Sequence, residues 1–128
     1  MATVNYQKAP DLDNKIKEIV THEHFSFVKP DQVHAFRSTG SHARALARIY
    51  AMPHIWQIAL NLEAHYCIEF ISEKFDRLPQ TEQTKIIIHE LMHIPKTFSG
   101  ALVPHRGRGR RQQVTHHTVE QLFKLIFG

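Results

Sequence analysis

With 128 residues, 42% of them hydrophobic and 22% charged, the chain has material for one domain around one core and none for a second of ordinary size. A single cysteine, Cys67, excludes an intrachain disulfide, and no apolar run approaches the roughly 20 residues of a membrane span. The opening Met1-Ala2-Thr3-Val4-Asn5-Tyr6 lacks the basic and apolar regions of an export signal, so a cytoplasmic domain with no membrane contact is expected, carrying a net charge of +4.

Asp11 to about His22 is predicted as the first helix, because Leu12, Ile16, Ile19 and Val20 recur on one face and Asp11 or Asp13 lies near its start. Pro30-Asp31 marks a turn, Val33 to Ser38 alternates as a short strand, and Thr39 to His42 is a loop. Leu46 to Tyr50 reads as a second strand, with Arg44 and Arg48 giving it a polar side. Pro53 to Leu62 fits two patterns: proline in a first turn favours a short helix, while Trp56, Ile58 and Leu60 alternate; the helix is preferred. His65 to Ser72 reads as a strand, Tyr66, Ile68 and Phe70 alternating with Cys67, Glu69 and Ile71, and Cys67 fits a core filler better than a nucleophile. A helix over 82–94 follows Leu78-Pro79-Gln80. Thr81-Glu82-Gln83-Thr84 has the look of a capping box, Ile86, Ile87, Leu91 and Ile94 form an inward stripe, and Pro95 ends it. The last helix runs from about Thr115, its cap, to Phe127. The expected fold class is α+β, a small mixed or antiparallel sheet packed against helix 82–94 and the C-terminal helix.

Within helix 82–94 stands His89-Glu90-Leu91-Met92-His93, the pattern HExxH. Residues four apart share a helical face, so His89 and His93 can turn an imidazole nitrogen toward one metal ion. Glu90 lies beside them, within reach of a water at an open coordination position. Two nitrogen ligands, an open position and a carboxylate base are what a zinc-dependent hydrolase requires. The competing explanation is a half-buried helix whose histidines merely face solvent, since a chain with 11 histidines forms HExxH by chance more readily than most. The helix-like context, apolar on one stripe and bounded by a cap and Pro95, favours the metal site.

A third ligand must come from elsewhere. His105 is the leading candidate, because the segment Phe98-Ser99-Gly100-Ala101-Leu102 can turn the chain back beneath the metal. His116, His117 and Glu120 are alternatives, though the first two also suit a helix start capped by Thr115. His22, His24, His34, His42, His54 and His65 have no spacing that pairs two of them on one helical face near a carboxylate, and are expected at the surface or in the core. Tyr50, Tyr66 and Arg44 are conceivable oxyanion partners, but nothing local singles them out.

The stretch Ile88-His-Glu-Leu-Met-His-Ile-Pro-Lys-Thr-Phe-Ser-Gly100, with Phe36-Arg-Ser-Thr-Gly-Ser41 and Ile71-Ser-Glu-Lys-Phe-Asp-Arg-Leu78, resembles the small archaeal and phage "putative metallopeptidase" family from about Gln32 to the C-terminus. More distantly, the layout is similar to SprT-like proteases. The resemblance implies a single minimal zincin-like metallopeptidase domain over 1–128, with one Zn²⁺ held by His89, His93 and His105 and with Glu90 as general base. It also implies an archaeal or phage source. The substrate would be a polypeptide, and strand 65–72, as a sheet edge above the metal, would hold it by backbone pairing.

Arg106-Gly-Arg-Gly-Arg-Arg111 follows His105 and supplies much of the positive charge. It is a candidate for phosphate contact, for a flap over the site, or for no more than a solvated loop. Two other functions therefore stand beside the peptidase: a nucleic-acid-associated module with a structural metal and this basic segment, or a catalytically inactive zincin-fold interaction protein. The oligomeric state is not legible in the sequence.

Overall fold

The computed structural model describes residues 3–105 and 114–128; the basic segment Arg106–Arg111 lies outside the described residues. The fold is α+β, a four-stranded mixed sheet with five α-helices among the described residues. The strands are β1 (Asn5–Lys8), β2 (Val33–Thr39), β3 (Ala47–Ala51) and β4 (Tyr66–Ile71), in spatial order β1-β2-β4-β3. β2 and β4 are parallel, with Val33 opposite Tyr66 and Ala35 opposite Ile68, and β1 and β3 flank them antiparallel. The helices are α1 (Pro10–Val20), α2 (His54–Leu60), α3 (Ser72–Phe75), α4 (Gln80–Leu91) and α5 (His116–Phe127).

One face of the sheet is the floor of the core. Alternation turns Tyr66, Ile68 and Phe70 of β4 and Val33 and Ala35 of β2 to that side, and each is at most 3% exposed. Leu12, Ile16 and Ile19 of α1, Ile87, Ile88 and Leu91 of α4, and Val119 and Leu122 of α5 close over it. α1 is pinned at its start: the Asp13 carboxylate accepts the Ala35 amide at 2.8 Å, and Asp11 takes a two-pronged bond from Arg37 at 2.7 and 2.9 Å.

Several expectations are corrected. β1 is absent from the sequence reading; its four residues are all exposed, so no buried alternation announces it. α3 is a further addition, and it takes Ser72, the last residue expected in strand 65–72. α1 stops at Val20, where the Thr21 hydroxyl turns back to the Glu18 carbonyl and His22 accepts the His24 amide on Nδ1 to open a short 3-10 turn. The capping box expected at Thr81–Thr84 does not form. α4 begins at Gln80 after Pro79, and the Thr84 hydroxyl bonds the Gln80 carbonyl instead. A reciprocal box does form at Thr115 and Thr118, at the start of α5.

The largest correction concerns the sheet edge. β4 is interior, bonded on both sides, and cannot accept a further strand. The edge beside α4 is β3, whose other side pairs with no strand among the described residues. All of its residues but Cys67 are buried, with Glu69 on the outer face bonded by Arg48 and Tyr50 of β3.

Candidate metal centre

α4 carries His89 and Glu90, while His93 follows in a turn tightened from α-helical to 3-10 bonding. The Met92 amide still bonds the Ile88 carbonyl, whereas those of His93 and Ile94 bond three residues back, to Glu90 and Leu91. Pro95 enforces that stop, and the turn keeps His93 beside His89, with ring centroids 5.1 Å apart.

The chain then returns as a strap over 98–105. Phe98 is buried and meets the Tyr66 ring edge-on at 5.1 Å. Phe98 and Gly100 both adopt positive φ, 48° and 95°, which reverses the chain within three residues. At Gly100 a side chain would run into the Gln57 amide and come within 2.9 Å of the Met52 carbonyl. The Tyr66 hydroxyl accepts the Gly100 amide at 2.8 Å and donates to the Ala101 carbonyl at 2.9 Å. Farther on, the Val103 amide donates to the His93 carbonyl at 2.7 Å, and His93 Nδ1–H donates to the Val103 carbonyl at 2.6 Å. The strap delivers His105 to the two histidines of the motif.

The three rings converge. One nitrogen from each of His89, His93 and His105 lies within 4.8 Å of the others. His89 Nε2 stands 3.1 Å from His105 Nε2 and 3.4 Å from His93 Nε2. Nitrogens at a zinc–nitrogen distance of 2.0–2.1 Å in a tetrahedral array lie about 3.3 Å apart, so the donor set fits one such ion. A carbonyl can only accept, so the Val103 contact fixes the proton of a neutral His93 on Nδ1 and leaves Nε2 with a lone pair for a metal.

The electrostatics favour neutral donors. Burial, followed by repulsion from His93 and His105, brings His89 down to about 4. His93 is also lowered by burial and by His105, against the Val103 hydrogen bond. Burial pushes Glu90 up to about 8. His89 Nε2 comes within 3.8 Å of Glu90 Oε2, but a histidine titrating near 4 is uncharged at neutral pH, so this contact is not an ion pair. A nearby cation would reverse the cost of ionising Glu90. These groups line a cleft of about 620 Å³ walled by Ala45 and Leu46, by Ala47, Arg48 and Ile49 of β3, and by Leu102, Val103 and Pro104 of the strap.

The other candidates lie elsewhere. Glu120 is held by Lys85 at 2.8 Å, with His116 3.8 Å away and largely exposed, and neither they nor His117 join the three-histidine group. The Tyr66 hydroxyl is spent on the strap. Tyr50 lies on the far face of the sheet, bonded to Glu69 at 2.7 Å. Cys67 is half-buried on that face, its thiol raised by burial. His34 and His65, 31 positions apart, stack at 2.9 Å between ring nitrogens because β2 and β4 run parallel side by side. Sequence reasoning misses the Val103 carbonyl and the Tyr66 clamp. A backbone carbonyl leaves no trace in residue type, but a tyrosine at an inward strand position must find a hydroxyl partner, and that signal is present in the sequence.

Fold and site together define a small α+β protein whose HExxH helix and return strap assemble a three-imidazole group suited to a metal ion. The chain belongs to the family described as "Putative phage metallopeptidase", whose model matches residues 4–124. No curated protein and no solved structure matches the chain. The family description and the three-histidine group together suggest a metal-dependent hydrolase acting on polypeptides. No helix among the described residues is long and apolar enough to cross a membrane.

Proposed function

We propose that this chain is a single-domain zinc metallopeptidase in which His89, His93 and His105 hold one zinc ion and Glu90 is the general base. The observation that carries the proposal is the convergence of three imidazoles beside a buried carboxylate, in a cleft bounded by a strand edge that pairs with no other strand among the described residues. All-nitrogen donors in a three-plus-one arrangement suit zinc better than the oxygen-seeking calcium or magnesium. When bound, zinc would acidify a water molecule and polarise the carbonyl under attack. Glu90 takes the proton from the attacking water and passes it to the leaving amine nitrogen, so that C–N cleavage releases a neutral amine. The Val103 carbonyl holds His93 in its donor tautomer. The side of β3 that pairs with no strand among the described residues would bind an extended polypeptide by backbone hydrogen bonds, the role that strand 65–72 is too enclosed to fill.

The test is metal analysis of the purified chain together with cleavage of a labelled, unfolded protein. About one zinc per chain is expected, with cleavage lost on chelation and restored by zinc. A chain that takes up no zinc from a buffered excess overturns the assignment.

A further inference from the structure

The helix α2 is built inside out. At 100° per residue, Ile55, Ile58, Trp56 and Leu60 spread over a wide apolar arc, and His54, Gln57 and Asn61 share the opposite flank. An ordinary surface helix buries the apolar arc. Here no residue of α2 is buried: Ile55 is 74% exposed, Ile58 69%, Trp56 55% and Leu60 52%. The flank turned to the protein is the polar one, where the Gln57 amide donates to the Met52 carbonyl at 3.0 Å and to the Ser99 carbonyl at 3.1 Å. Leu62, just beyond the Asn61 cap, continues the exposed arc at 47%.

We propose that α2 is a homodimer interface, its apolar arc covered by α2 of a second copy of this chain. Two properties select that occupant. The first is area. The exposed side chains amount to a patch on the order of 500 Å², near the upper end of what a typical monomer displays. Two copies meeting face to face would bury at most on the order of 1,000 Å² in total, the lower limit for a specific contact. The second is charge. No lysine or arginine occurs between Arg48 and Lys74, and Lys29, which reaches Glu63 just past Leu62 at 3.4 Å, is paired there, so α2 lacks the cationic flank by which surface helices engage lipid headgroups. An uncharged apolar patch complements itself across a two-fold axis, where a charged one would meet its own sign. A helix of seven residues is also too short to persist on propensity alone, and packing against its own copy would supply what the Gln57 tether does not. Because Gln57 also holds Ser99, the dimer contact would rest on the helix that braces the strap leading to His105.

Trp56 is the sole tryptophan and reports directly on this surface. Sedimentation velocity of the whole chain from about 1 to 200 μM should show monomer passing to dimer, the weak regime of an interface near the lower size limit. The Trp56 emission should shift to shorter wavelength over the same range. Ile55→Glu/Ile58→Glu should remain monomeric throughout, with the far-ultraviolet circular dichroism and zinc content of the wild type, because neither side chain touches the core. Ile58→Val should dimerise like the wild type. Three results would overturn the proposal: a wild-type monomer at every concentration, a dimer that survives the double substitution, or a monomer that floats with neutral phosphatidylcholine vesicles. The Trp56 shift is read on unmodified protein, so a double variant that failed to fold would leave the test standing.

Discussion

Two glutamates of this chain are almost equally hidden and are treated in opposite ways. Glu69 on the outer face of β4 is 1% exposed, and Glu90 on α4 is 7% exposed. Glu69 is surrounded by donors: the Tyr50 hydroxyl reaches it at 2.7 Å and Arg48 at 3.1 and 3.3 Å. Burial alone would raise it, but the Tyr50 hydroxyl and the Arg48 guanidinium, bonded to it and opposite in charge, outweigh burial and hold it below its ordinary value. Glu90 receives no such compensation, and burial carries it up to about 8. A paired carboxylate is a structural element, kept ionised by its neighbours. One buried beside three imidazoles is left with a proton affinity suited to proton transfer, and its missing counter-charge is the one a metal ion would bring.

The sharpest way to break this contrast is to remove each carboxylate's charge in turn. Glu90→Gln preserves shape and should keep the metal, while cleavage of an unfolded protein falls at least about a hundredfold. Equal rates for variant and wild type would assign the cleavage to another agent. Removing a donor tests the other half of the site: His105→Ala should weaken zinc binding about ten-fold or more, on the order of 1.4 kcal/mol at the least. Glu120→Ala should leave it nearly unchanged, since Glu120 is engaged with Lys85. Zinc titration of the two variants decides between them.

The pH dependence of the metal-free protein separates the glutamates without reference to activity. Glu90 is raised in the folded state, so its contribution is fully present below its ordinary value of 4.5 and is lost as pH rises through about 8. Metal-free wild type should therefore lose stability between those values relative to metal-free Glu90→Gln, by on the order of a few kcal/mol in denaturant titrations. Glu69 is lowered, so its contribution is present above 4.5 and lost as pH falls through its folded value. A flat difference between wild type and Glu90→Gln across that range would mean that Glu90 is solvated. Glu69→Gln at neutral pH should cost about 1–2 kcal/mol of stability, because Arg48 is partly solvated and keeps water as an alternative partner. Its zinc content and cleavage rate should match those of the wild type.

Much of this molecule is legible in its amino-acid sequence. The HExxH spacing brings two imidazoles to one side of α4 and its closing turn because such geometry is local, and Pro95 marks where that helix must end. Thr115 announces α5 by its capping chemistry, and alternation announces β2 and β4. His105 is favoured over Glu120 through the turn residue Gly100 and the family resemblance, but which side chains meet in space depends on contacts that no local pattern encodes. Only the tertiary structure puts β4 inside the sheet and β3 at its edge, because strand order is set by pairing between segments far apart in the sequence. Only it seats the Tyr66 hydroxyl on the strap and the Val103 carbonyl on His93, since a backbone group has no signature in sequence. It also turns the polar flank of α2 inward, against the rule that apolar residues face the core. The pattern of α2 shows that an apolar surface exists, and the way Gln57 anchors the helix decides that it faces outward.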